Sequence, residues 1–383
     1  MKPISICITT TSDIGFDQRL QRVSNTLVEL GYRVTILYRS KSSIKKSITD
    51  RYSFEHPAIT LILISTWFQS SFLFYAEYNI RLLLKLMGLS PNWVYAVDAD
   101  TLLVSTVFKR IKRGKLIFDA HEFFEESPEI IDKKFIRKTW SNIIHWGTAN
   151  ADLCLSVAPI LSEVLSKKYK VKFHSIRNLP TKKIFPNTYT DRPKVIWYQG
   201  VLNIGRGLEL MIEAMLSLPE YECWIAGDGD ISDQLHKLAE KLNLGARIKF
   251  FGKLTPEELA LLNTKALIGI NLLEGKSLNY YYSLANKTFD YIQAGLPTLH
   301  MNFPEYQNLI AEYPVGILLS ECTPEEISAS VKSLEDPTLY HQMFLACQQA
   351  ADILVWKNES GLLAELLQNL ENTNEDPSML QSK

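Results

Sequence analysis

Short apolar runs recur along the chain at 5–10, 33–38, 59–64, 93–97, 115–119, 153–157 and 173–177. Most are apolar at consecutive positions, a pattern that predicts parallel strands covered on both faces. Between the first two runs, Leu20, Val23, Ser24, Leu27 and Leu30 keep helical spacing and Gly31 supplies the stop, so 17–30 reads as a helix. After Asn178-Leu179-Pro180 the composition turns polar through Pro193, which reads as a linker. A second series of runs follows at 195–199, 223–226, 247–251, 267–272, 297–301 and 316–319. Helical patterns at 208–218, 232–242 and 256–262 separate them. Thr255-Pro256-Glu257-Glu258 combines an N-cap, a proline at the first helical position and a capping-box glutamate. An amphipathic helix over 359–370 precedes a polar tail that should be disordered.

Strands and helices alternating in both halves predict an α/β protein with two tandem, Rossmann-like, doubly wound domains facing a cleft. The expected divisions are 1–187, 188–350, a last helix at 351–371 and a tail at 372–383. Open parallel sheets bind ligands at the carboxyl ends of their strands, so candidate site residues should follow strands.

Composition adds one fact to this picture. The 383 residues carry a net charge of only -1, but residues 1–190 hold 27 Lys and Arg against 16 Asp and Glu. The remainder holds 14 against 26. The first half is the one suited to an anionic partner. The five cysteines are scattered with no C-x-x-C, which reads as free thiols in a reducing compartment. Nothing resembles a signal peptide, and Glu77, Arg81 and Lys85 interrupt the greasiest stretch, 67–89, so a cytoplasmic location is expected.

Several strand ends carry chemistry. The loop after the first strand lacks G-x-G-x-x-G but holds Asp13, Asp17 and Arg19, which can contact a sugar or phosphate. Asp17 can equally be the cap of the helix that follows. His121 and Glu122 follow the fifth strand in Asp119-Ala120-His121-Glu122, with carboxylates on both sides of the imidazole. Gly200 to Gly207, containing Arg206, leads into a helix and suits a diphosphate. Gly227-Asp228 and Gly252-Lys253 follow two more strands, although Asp228 can simply cap a helix. The richest stretch runs from Asn279 through Tyr282 and Ser283 to Asn286, Lys287 and Asp290. There a helix start and Lys287 would hold phosphate, and Asp290 would reach ribose hydroxyls.

The motifs Gly-x-x-x-x-Gly-Arg-Gly-Leu-Glu, Ala-Gly-Asp-Gly-Asp and Asn-Lys-x-Phe-Asp-Tyr-x-x-Ala-Gly-Leu-Pro together resemble group 4-type glycosyltransferases of the GT-B fold. Asp-Gln-Arg, Asp-Ala-His-Glu and Ile-Arg-Asn-Leu-Pro in the first half agree, so the resemblance runs from residue 4 to about 370. It implies a retaining, metal-independent hexosyltransferase of class EC 2.4 with a nucleotide-diphosphate sugar as donor and no separate cofactor. The acceptor would be a hydroxyl of a glycan or lipid-linked glycan, in cell-surface polysaccharide synthesis. Arg206 and Lys287 fall at the donor-phosphate positions, Asp290 at the ribose carboxylate, and His121 beside the transferred sugar. Asp17 and Arg19 fall in the first loop, and the resemblance implies that the helix at 351–371 crosses back to the first domain. The sequence departs from the family at Val201, where an arginine is usual. It departs again at Tyr282, eight residues before Asp290, where a glutamate is usual. Asn279, Tyr282 or Ser283 would then contact the sugar.

Two other readings stand beside this one: a sugar-nucleotide epimerase of similar fold, and a non-catalytic carbohydrate-binding protein. Trp67, Phe68, Phe72, Phe74 and Tyr75, with the basic run Lys109, Arg110, Lys112, Arg113 and Lys115, either meet an anionic membrane or are core and solvated helix end. Nucleic acid is not an expected partner, since no basic–aromatic module is recognisable.

Overall fold

A computed structural model describes residues 3–12, 14, 17–39, 56 and 58–372. Asp13, Gly15, Phe16 and the expected tail from Thr373 onward lie outside the described residues. The chain forms two compact units, one of residues up to Asn178 together with those from Glu359, the other Leu179–Asn358.

The first unit has strands β1 (Ser5–Thr9), β2 (Arg33–Tyr38), β3 (Ile59–Leu63), β4 (Trp93–Val97), β5 (Lys115–Ala120), β6 (Leu153–Ser156) and β7 (Phe173–Ser175). Helices α1 (Gln18–Glu29), α2 (Ser71–Leu89), α3 (Ala99–Lys112), α4 (Lys134–Thr148) and α5 (Pro159–Tyr169) alternate with them. The strands form one parallel sheet in the order β3-β2-β1-β4-β5-β6-β7. Every residue of β4 is buried, as its unbroken apolar run requires of a central strand with helices on both faces.

The second unit has β8 (Val195–Gln199), β9 (Glu222–Ala226), β10 (Ile248–Gly252), β11 (Ile268–Asn271), β12 (Thr298–Met301) and β13 (Gly316–Leu319). Its helices are α6 (Leu208–Ala214), α7 (Ser232–Lys241), α8 (Pro256–Lys265), α9 (Leu278–Tyr281) and α10 (Asn286–Gln293). They continue with α11 (Pro304–Glu312), α12 (Pro324–Ser333), α13 (Pro337–Ile353) and α14 (Trp356–Asn372), which runs on into the first unit. The sheet is parallel in the order β10-β9-β8-β11-β12-β13. At α8 the capping box forms as expected: Thr255 Oγ1 accepts from the Glu258 amide, and the Glu258 carboxylate accepts from the Thr255 amide. No helix among the described residues is long and apolar enough to cross a membrane, and the five cysteines are free, four of them buried.

The boundary falls at Leu179, ahead of most of the expected linker. Leu179 is fully buried with Phe289, Ile292, Ala350 and Leu354, and the Pro180 carbonyl accepts the Trp356 amide at 2.8 Å, so this stretch packs as part of the second unit. At the other end Leu363, Leu367 and Leu370 recur at helical spacing on the buried side of α14. Glu359, 1% exposed, anchors the helix: Oε2 accepts the Arg177 amide at 2.7 Å and Oε1 the Arg177 Nε at 2.8 Å. Arg177 is only half-buried, so removing the carboxylate strands its amide and part of its guanidinium. Glu359→Ala should destabilise the protein by about 2 kcal/mol in urea unfolding monitored by circular dichroism.

Candidate functional site

In each sheet the strand order reverses once, between β1 and β4 in the first and between β8 and β11 in the second. Ligands of open parallel sheets bind at the carboxyl edge where this happens. Each edge holds a cluster of charged and polar side chains.

In the first unit the cluster is built on the end of β5. Asp119 is 1% exposed and Arg19, in the first turn of α1, is 2% exposed. The guanidinium grips the carboxylate through Nε to Oδ2 at 2.9 Å and Nη2 to Oδ1 at 2.8 Å. Its Nη1 donates to the Ile176 carbonyl at 2.6 Å, so the fork of Arg19 is turned inward and acts through Asp119. Tyr95 donates its hydroxyl to Asp119 Oδ2 at 2.7 Å. His121 then stands between two carboxylates, with Nε2 3.1 Å from Asp119 Oδ2 and Nδ1 3.7 Å from Asp98 Oδ2. Asp17 is the cap of α1, its Oδ1 accepting the Leu20 amide at 2.9 Å. Glu122, next to His121, is half-buried.

The electrostatics follow from that geometry. Burial alone would lower the imidazole pKa, but Asp98 and Asp119 outweigh it and raise His121 to about 9. Burial raises Asp98 to about 6, and burial with the nearby Asp98 raises Asp100 to about 7. Asp119 moves the other way, since Arg19 and His121 overcome its burial and hold it well below the usual carboxylate range. Asp98 has φ 59°, a conformation that favours glycine. It is kept there by two bonds, its amide to the Asp119 carbonyl at 2.9 Å and its Oδ1 to the His121 amide at 2.8 Å. A non-glycine held in such strain at a strand end belongs with the site.

In the second unit three glycines end neighbouring strands. Hydrogen bonds run on past the strands, from the Gly200 amide to Ala226 O at 3.0 Å and from the Gly227 amide to Gly252 O at 2.8 Å. Gly200 (φ 138°) and Gly227 (φ 137°) adopt backbone that side chains disfavour. A Cβ on Gly227 would strike the Gly200 carbonyl, and one on Gly200 would stand 3.3 Å from Lys287 Nζ.

Lys287, in the first turn of α10, is 7% exposed. Its ammonium lies 3.6 Å from the centre of the Tyr198 ring and has no hydrogen-bond acceptor among the described residues. Burial, with the charge of Arg206 second, drives its pKa well below the usual lysine value. Arg206 lies 5.4 Å over the Tyr280 ring, and its Nε is also without an acceptor. Asp290, one turn beyond Lys287, accepts from Gln199 Nε2 at 2.9 Å, with Lys183 Nζ 3.9 Å away. The structure thus gathers Gly200, Arg206 and Lys287, the arrangement for an anion carrying more than one charge.

The remaining candidates are placed as follows. Asp228 Oδ1 accepts the Gly229 amide at 2.9 Å and the Ser232 hydroxyl at 3.1 Å, bonds that lower its pKa and tie down the start of α7. Lys253, after Gly252, lies 3.5 Å from Asp228 Oδ2 with both side chains exposed. The tyrosine run forms the short α9, in which the Asn279 amide donates to Ser277 Oγ at 3.2 Å. Tyr282 packs edge-on against Tyr281, the Ser283 hydroxyl donates to the Tyr280 carbonyl at 2.9 Å, and Asn286 is exposed. Sequence reasoning missed Asp98, Gln199, Asn271, His300 and Tyr306. The available signal was a polar residue at or near the end of an apolar strand, as in Gln199, Asn271 and His300. Among the described residues no group of three His, Cys, Asp or Glu stands close enough to hold a metal ion.

The aromatic and basic runs of the first unit prove to be apart. Trp67 and Phe72 are exposed ahead of and at the start of α2, at the carboxyl edge of the sheet, while Phe74 is core. Lys109 to Lys115 lies at the far end of α3 and the beginning of β5, which is the amino edge. Helices in a parallel sheet run opposite to the strands, and that separates the two runs.

His121 should stay protonated at neutral pH. The stability it contributes is complete below about pH 6.5, the ordinary imidazole value, and fades as the pH rises through about 9. Histidine-selective NMR titration should give a midpoint near 9 for His121, falling to roughly 7 in Asp98→Asn once the largest supporting charge is gone. An unchanged midpoint would remove Asp98 from the site.

Comparison with known proteins bears on the family and the fold. Residues 181–344 match the family described as glycosyl transferases group 1. Over 66 residues the chain is 38% identical to the lipopolysaccharide core biosynthesis glycosyltransferase LpsE of Rhizobium meliloti strain 1021. That stretch covers 17% of this chain and 19% of the relative's length. Among solved structures, sucrose-phosphate synthase from Thermosynechococcus elongatus is similar at a TM-score of 0.80 and 14% identity, covering 97% of this chain and 100% of that one. HepE of Anabaena, in complex with UDP-glucose, is similar at a TM-score of 0.75 and 14% identity, covering 96% of this chain and 100% of that one. Likeness at such identity carries the fold, and the expected pair of Rossmann-like domains is the one found. The resemblance read from the motifs, to glycosyltransferases of the GT-B fold, is the one found. Residues of the second unit thus match the model of the glycosyl transferases group 1 family, and the chain carries the two-domain GT-B fold.

Proposed function

We propose that this chain is a retaining glycosyltransferase that moves a hexosyl group from a nucleotide-diphosphate sugar to a hydroxyl of a glycan or lipid-linked glycan. The observation that carries this is Lys287, a buried ammonium with no hydrogen-bond acceptor, set beside Arg206 and the start of α10. Glycosyl transfer breaks the bond between the anomeric carbon and the diphosphate, so negative charge grows on the leaving phosphate. Lys287, Arg206 and the first amides of α10 are held in place before the reaction and would meet that charge without a metal ion. Asp290, with Gln199, would accept ribose hydroxyls, and Asn279, Tyr282 or Ser283 the sugar. The imidazolium of His121 would donate to a hydroxyl of the transferred sugar. A role in cell-surface polysaccharide synthesis is favoured by the lipopolysaccharide-core relative. With UDP-glucose as the probe donor, Arg206→Ala and Lys287→Ala should each lower turnover at least about a hundredfold while leaving the circular dichroism spectrum unchanged. Full activity in both would reject the site. Interconversion of free nucleotide sugars without an acceptor would make the protein an epimerase instead.

A lipid-linked acceptor calls for work at a membrane surface, and the carboxyl edge of the first sheet suits it. Trp67 and Phe72 are 85% and 80% exposed there. The Glu77 carboxylate fixes their segment, Oε2 accepting the Trp67 amide at 2.9 Å and the Phe68 amide at 3.0 Å. Tyr75 of α2 meets Trp140 of α4 with ring centres 5.4 Å apart. That contact brings the start of α4 to the same edge, with Phe135, 84% exposed, among Lys133, Lys134 and Lys138. Exposed rings interleaved with lysines fit an anionic bilayer. The protein should float with phosphatidylglycerol-containing vesicles, release at high salt, and lose binding in the triple variant Trp67→Ser, Phe72→Ser, Phe135→Ser. Flotation of the triple variant like the wild type would reject this surface.

A further inference from the structure

The start of α10 is held by a side chain that no part of the reaction above uses. Tyr306, from α11, is fully buried, and its hydroxyl accepts from the Ala285 amide at 3.0 Å and from Asn271 Nδ2 at 2.7 Å. Ser283 is a third hydrogen-bonding neighbour of the same hydroxyl. One oxygen therefore ties the end of β11 to two positions of the turn 283–285. Ala285 is the N-cap of α10, and it has no side chain with which to cap the helix. The direction of the first turn, and with it the place of the Lys287 ammonium, then depends on how the turn itself is held. The Tyr306 ring is fixed from the other side by His300, stacked at 4.6 Å and 14°. That imidazole is fully buried, both its ring nitrogens lack partners, and burial, with Lys287 second, lowers its pKa to about 3. It is an uncharged platform, so it adds no second cation beside Lys287.

We propose that Tyr306 is the positioning residue of the phosphate site: its hydroxyl sets the turn 283–285 and so aims Lys287 and the first amides of α10 at the diphosphate. This rests on the reading of Lys287 and Arg206 as phosphate ligands. Tyr306 does not touch the ligand, and its effect passes through the backbone.

The test uses inorganic pyrophosphate as the probe, titrated calorimetrically into the full chain well below its melting temperature. Tyr306→Phe keeps the stacked ring and removes the oxygen, and affinity should fall roughly tenfold, the worth of about one lost hydrogen bond to a buried donor. A conformational rescue separates positioning from stability. Ala285 has φ -70° and ψ 134°, which proline adopts, and proline has no amide to leave unpaired. The double variant Tyr306→Phe, Ala285→Pro should therefore recover most of the pyrophosphate affinity. Hydrogen exchange on the wild type gives an independent reading: the Ala285 amide should be protected without pyrophosphate. A lower melting temperature with wild-type affinity in Tyr306→Phe, or an unprotected Ala285 amide, would overturn the proposal. If Lys287→Ala binds pyrophosphate as the wild type does, the phosphate site itself falls. If Lys287→Ala loses binding and Tyr306→Phe keeps it, the positioning role alone falls.

Discussion

A charge taken out of water needs an opposite charge or a dense set of hydrogen bonds, and both units are organised by that constraint. In the first unit the requirement is met within the protein. Arg19 and Asp119 cover each other in a two-bond fork, and the leftover carboxylate character is spent on Tyr95 and His121. This pins α1 to the end of β5 and decides where the imidazole stands. In the second unit the requirement is left open, since Lys287 has an aromatic face and a neighbouring cation but no acceptor. The first edge is thus internally neutralised, while the second holds a cation that the proposed anion would cover.

The bulk charge sharpens this contrast. The proposed anion site lies in the half of the chain with 14 basic against 26 acidic residues. Long-range attraction therefore cannot be what collects the ligand, and screening would weaken it further. What remains is short-range: the buried Lys287, the half-buried Arg206, glycine backbone that lets a ligand close in, and helix amides. A diphosphate that fits would have to offset the long-range repulsion through contacts made at close range.

Much of the fold was legible because parallel strands announce themselves as unbroken apolar runs. All thirteen expected runs correspond to strands among the described residues, with ends moved by one or two positions. The glycines and cations of the second edge were legible too, because phosphate sites need those residue types just after strands. Asp98 was not, because nothing in Val97-Asp98-Ala99 reveals a positive φ. Asn271 and His300 hid inside apolar stretches, where one polar residue looks like tolerance and becomes meaningful once its neighbours across the sheet are known. The basic run 109–115 misled for another reason. Nearness in sequence to the aromatic segment says nothing about which edge of the sheet a helix end reaches, and topology put them at opposite edges.

The last helix has a consequence for how the molecule comes into being. The first unit draws on residues up to Asn178 and again from Glu359, so its closing helix leaves the ribosome after the whole of the second unit. Until then Arg177 lacks the carboxylate that covers it, and the groove awaiting Leu363 and Leu367 is open. The order of synthesis is thus the reverse of the order in which the two units can be finished. The unit that comes first in chain order must wait, partly built, until the whole of the other has been made.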